Sequence, residues 1–184
     1  MQRHSTSNRP SQRSATWWLL VTFLAFWAGL LLHEAAHFAI AGVLFAPDDW
    51  GSVPAYGDAS RGIAAAAGPL VPLLIVLVCA TIASRAHQPV AIAAGLGAAS
   101  RIFLVAVPTM LGRPNDERVV SVVTGLPGPL IWTAEAAVTI LLIAWMLLSW
   151  RDQLRVGAIS FCLVGVALGW ISAFTVGRAL GLPI

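Results

Sequence analysis

The chain is 184 residues long, 58% hydrophobic and only 10% charged, with a mean hydropathy of +0.82. Soluble domains carry about 25% charged residues, so these values exclude a soluble domain with a single anchor. They predict an all-helical, multi-pass bundle of about five spans in the cell membrane, with the lipid bilayer as its solvent. The net charge of +3 comes from arginines scattered along a chain without lysine, which argues against nucleic-acid binding.

Residues 1–16 are polar and read as a disordered tail ahead of a single transmembrane domain, 17–184. The apolar run that follows, about Trp17 to Phe45, is too long for the core of a signal peptide and reads as a retained first span. Trp17 and Trp18 suit the membrane interface. Within this run stands His33-Glu34-Ala35-Ala36-His37, an H-E-x-x-H pattern roughly 12 Å or more from the Phe45 end. Histidines four apart share one helix face. Two imidazoles one turn apart can bind a single Zn²⁺ and leave positions for a third ligand and a water. Glu34 lies where a general base would take a proton from that water. In a soluble helix the same pattern is often a solvated face. Inside an apolar span that explanation leaves Glu34 buried without a partner.

The segment 46–62 is rich in Pro, Gly and Asp and is predicted as a loop or re-entrant turn, with Asp48, Asp49 and Asp58 as solvated carboxylates or distant candidates for a metal. The second span, about Ile63 to Ser84, opens on a run of alanines and Gly68-Pro69, a place for close backbone approach and a loosened helix start. The third is predicted over Pro89 to Leu111. Its Ala91, Gly95 and Ala99 recur every four residues, and its Arg101 must snorkel, line a cavity or pair with an acid. A broken or re-entrant segment is expected near 108–118, followed by a short helix from Asp116 to Thr124. Asp116 is open to two roles, first-turn acid or third metal ligand; three antiparallel spans put it on the membrane face where the first span carries His37. The fourth span, about Leu130 to Trp150, contains Glu135, a natural partner for Arg101 and a rival ligand. The last, about Val156 to Leu180, carries Gly165, Gly169, Ala173, Gly177 and Gly181 as a small-residue stripe, for packing within the bundle or between copies in a homo-oligomer. Cys79 and Cys162 fall in apolar spans and read as small buried hydrophobes.

His33-Glu34-x-x-His37 in an early span, Gly68-Pro69 opening the next and Pro114-Asn115-Asp116 after a third together resemble the site-2 protease family of intramembrane zinc metalloproteases. The resemblance covers about residues 17–125, which it marks as a catalytic core, with the spans over 130–180 as additions. It implies a zinc site of His33, His37 and Asp116, with Glu34 activating water, Asn115 positioning the substrate or oxyanion, and a membrane protein as substrate. The family's usual Leu-Asp-Gly around the aspartate is replaced here by Asn115-Asp116-Glu117. Arginine counts favour a cytoplasmic N-terminus and a site nearer the outer face, whereas the resemblance implies zinc nearer the cytoplasm. Two rival readings remain, a metal transporter and a non-catalytic membrane module that keeps the fold. The first is weakened by the absence of histidine from the other spans.

Overall fold

The computed structural model describes residues 13–41, 58–86, 88–101, 116–150 and 156–180. Among these residues the chain forms six helices and no strand: α1 (Ala15–Ala41), α2 (Asp58–Ala86), α3 (Pro89–Ala99), α4 (Asp116–Thr124), α5 (Gly128–Leu148) and α6 (Val156–Ala179). Four of them, α1, α2, α5 and α6, are long and apolar enough to cross a membrane, and α3 is a shorter apolar helix. The protein is a helical, multi-pass membrane bundle.

Local chemistry sets the ends of these helices. Ser14 precedes α1, and its hydroxyl accepts the Trp17 N–H at 3.2 Å, so Ala15 and Thr16, expected in the polar tail, are already helical. α2 begins at Asp58, inside the predicted loop, where an acid followed by alanine suits a first turn. Pro69 and Pro72 therefore lie inside α2 rather than at its start. Pro89 starts α3, where a missing N–H costs nothing. α4 has the predicted bounds and ends at Gly125, whose φ of 72° lets its N–H return to the Ser121 carbonyl at 2.9 Å. The predicted continuation of the third span to Leu111, most of the expected break at 108–118, and the loop acids Asp48 and Asp49 lie outside the described residues.

α1 packs against α2, α3 and α6, while α2 also carries α4 and α5. Glycines bring α1 close to its neighbours on two sides. A Cβ on Gly97 of α3 would lie 2.6 Å from the Thr22 carbonyl oxygen, and one on Gly165 of α6 would lie 2.7 Å from that of Leu19. Gly169 faces the Phe26 ring, so this part of the α6 stripe serves contact within the chain. Ala91, Gly95 and Ala99 are buried, as their spacing suggests. Trp18, Ala83, Ile92, Met146, Trp150 and Cys162 form one core cluster. They come from the start of α1, the end of α2, the start of α3, the end of α5 and the start of α6, which is the signature of helices alternating in direction. The Trp150 indole N–H donates to the Ala83 carbonyl there at 2.9 Å. The two cysteines are buried and free. The opposite end of the bundle holds His33, Glu34, His37, Arg101, Asp116 and Glu117.

Candidate metal centre

In the last third of α1, His33, Glu34 and His37 turn inward and are 6%, 9% and 1% exposed. The two imidazoles meet edge to face with centroids 4.5 Å apart. His37 Nδ1 lies 2.8 Å from the Ala64 carbonyl oxygen of α2. A carbonyl can only accept, so Nδ1 carries a proton; Nε2 then offers its lone pair to a metal when the ring is neutral and donates to a carboxylate when the ring is charged. Nε2 of His37 is 3.0 Å from Nε2 of His33. Oδ2 of Asp116, the first residue of α4, is 3.3 Å from each of them. Asp116 thus spends its side chain on the histidines. It is the acid that α4 delivers to the site.

These three atoms form the His33–His37–Asp116 group that could hold a metal ion. Bonds of about 2.0–2.1 Å to zinc in a tetrahedral site imply ligand–ligand edges of about 3.3–3.4 Å. The observed edges of 3.0, 3.3 and 3.3 Å fit that geometry. Charge points the same way. One guanidinium, that of Arg101, faces the buried carboxyls of Asp116, Glu117 and Glu135, and Glu34 Oε1 lies 3.6 Å from His33 Nε2. Among the described residues four carboxyls share this one arginine, which leaves the site open to a further cation or to protons.

Burial alone would raise the Asp116 pKa. Hydrogen bonding with His33 and His37, together with the Arg101 charge, outweighs it and holds the carboxyl well below the usual carboxylate range. Glu117 behaves oppositely. Burial, reinforced by the charges of Glu135 and Asp116 and opposed by Arg101, pushes it up to about 7. Among the described residues neither of its carboxyl oxygens meets a hydrogen-bond partner, and Arg101 Nη1 stands 3.7 Å away.

Gly68 closes the floor of the site. A Cβ there would collide with His33 Cε1 and His37 Nε2, so the close approach read from the sequence is that of two imidazoles rather than of a backbone. Pro69 and Pro72 offer no N–H to the Ala65 and Gly68 carbonyls one turn back. Arg101 Nη1 donates to Glu135 Oε1 at 3.3 Å, the pairing expected from the sequence. Glu135 therefore faces the arginine, and Asp116 completes the group with the two histidines. Asn115 lies outside the described residues. Sequence reasoning missed the Ala64 carbonyl and Glu117. The run of alanines before Gly68 was the available signal for the former, and the acid next to Asp116 for the latter. No protein-family profile, curated protein or solved structure matches the chain.

Proposed function

We propose that this chain is an intramembrane zinc metalloprotease of the site-2 protease kind, hydrolysing a peptide bond in or beside a membrane-spanning segment of a protein substrate. The observation that carries this reading is the ligand triangle of His33, His37 and Asp116, with edges of 3.0–3.3 Å and Glu34 at its flank. His33 and His37 would each offer Nε2 to zinc, and Asp116 would offer Oδ2. When bound, zinc supplies Lewis-acid chemistry, lowering the pKa of water towards 7 and polarising the scissile carbonyl. Glu34 accepts the proton of the attacking water at its carboxylate and returns it to the leaving amine. Ala64 holds the His37 ring by Nδ1, so that Nε2 is the nitrogen turned to the site. A helical substrate has to unwind locally at the cleaved bond, because its carbonyls are otherwise hydrogen-bonded within the helix.

The test is zinc content and cleavage on the full chain. About one zinc per chain, lost in His37→Ala and sharply reduced in Asp116→Ala, is expected. Cleavage of a co-expressed membrane substrate should disappear in Glu34→Gln while zinc is retained. One observation favours a second reading, a non-catalytic membrane module. Arg101 Nη2 lies 3.0 Å from Asp116 Oδ2 and 3.4 Å from His33 Nε2, so the guanidinium itself partners two of the three ligand atoms. A folded chain that takes up no supplied zinc would select that reading.

A further inference from the structure

Each ligand of a metal site needs something to fix its orientation. For His37 that partner is the Ala64 carbonyl on α2. Asp116 has a harder task, because it begins a helix of only nine residues that rests mainly on α2 and α5. Its strongest partner comes from elsewhere. Arg101, two residues past the end of α3, is 9% exposed. Its Nη2 donates to Asp116 Oδ2 at 3.0 Å, while Nη1 donates to Glu135 Oε1 on α5 at 3.3 Å and stands 3.7 Å from Glu117 Oε1. A permanently charged, buried guanidinium is tolerated only with such partners. Its planar fork lets one side chain bridge two elements at fixed angles, which an ammonium does not do.

We infer that Arg101 is a positioning residue for the third ligand: anchored by Glu135, it holds the Asp116 carboxylate against His33 and His37 and so sets the affinity of the site for zinc. This inference rests on the zinc reading above. Its role is geometric. The same charge supplied without the fork does not replace it, and losing the Glu135 anchor weakens it.

The experiment measures zinc affinity of the full chain in detergent micelles, by competition with a chromophoric chelator, for the wild type, Arg101→Lys, Arg101→Gln and Glu135→Gln. The visible spectrum of each Co²⁺-loaded protein reports ligand geometry independently of any activity. Arg101→Lys and Glu135→Gln are expected to bind zinc tenfold to a hundredfold more weakly, the cost of losing an outer partner of a ligand, with altered Co²⁺ bands and an unchanged elution volume. Wild-type affinity and wild-type bands in both variants would overturn the inference while leaving the zinc reading intact. Tighter binding in Arg101→Gln would also overturn it, since Arg101 would then be a competitor of the cation. Should Arg101→Gln fail to fold, the two milder variants decide. A wild type that binds neither Zn²⁺ nor Co²⁺ would overturn the zinc reading itself.

Discussion

Replacing Gly68 with alanine separates the demands of the helix from those of the site. On helix propensity alone the change is favourable by about 1 kcal/mol. At this position the new methyl would lie 2.5 Å from His33 Nδ1 and closer still to His33 Cε1 and His37 Nε2, where ordinary contacts are about 3.5–4.0 Å. Both rings would have to retreat by about 1 Å, and His37 is tethered to Ala64. Overpacking of this kind costs about 1–3 kcal/mol, so the net loss of stability should be about 0–2 kcal/mol. The effect on the ligands is larger, because functional constellations tolerate displacements of only about 0.5 Å. On the proposed zinc reading, zinc affinity is expected to fall by at least a hundredfold, about 2.7 kcal/mol. The assay pairs chelator competition with thermal unfolding and uses Gly157→Ala as the control, since a Cβ at Gly157 meets nothing within 4 Å. A folded Gly68→Ala protein that binds zinc like the wild type would refute the reasoning.

Three further outcomes test the fold and its electrostatics. Glu117, at about 7 in the folded chain against an ordinary 4.5, holds its proton more tightly folded than unfolded. Its contribution is therefore fully present below pH 4.5 and declines as pH rises towards 7, by up to about 3 kcal/mol; Glu117→Gln should match the wild type at pH 5 and exceed it in thermal midpoint at pH 8. Gly97→Ala would place a methyl 2.6 Å from the Thr22 carbonyl oxygen and 2.9 Å from the Phe26 nitrogen; since these are backbone atoms, a loss of about 1–3 kcal/mol in denaturant titration is expected. Trp150→Phe removes the 2.9 Å hydrogen bond to the Ala83 carbonyl and should cost about 1 kcal/mol by the same measurement.

The spans were legible because hydropathy is a local property, and α5 and α6 follow the predicted ranges within two residues at each end. The histidine pair was legible for the same reason, since four residues of helix fix its geometry whatever surrounds it. Asp116 was half legible. Alternating spans placed it on the correct face, but its choice between capping α4 and joining the histidines depends on how α4 seats on α2, which no local pattern encodes. Arg101 shows the limit more plainly. Its pairing with Glu135 followed from there being few acids in the spans, whereas its simultaneous contacts with Asp116 and Glu117 depend on three helix ends meeting at one point. The obligation on Gly68 was hidden too, because glycine announces room and does not say what fills it.

The glycine contacts on α1 have a mechanical consequence. Gly97 from one neighbour and Gly165 from another grip its backbone at the level of Leu19 to Phe26, so α1 behaves like a shaft seated in two bearings. Neither sliding nor rotation of α1 is open without dislodging both neighbours, and the two histidines travel with that shaft. The opposite wall is built differently: α4 is nine residues long, and Glu135 of α5 reaches the site through Arg101. The histidines are thus carried by the more closely packed helix, and Asp116 by the shortest one.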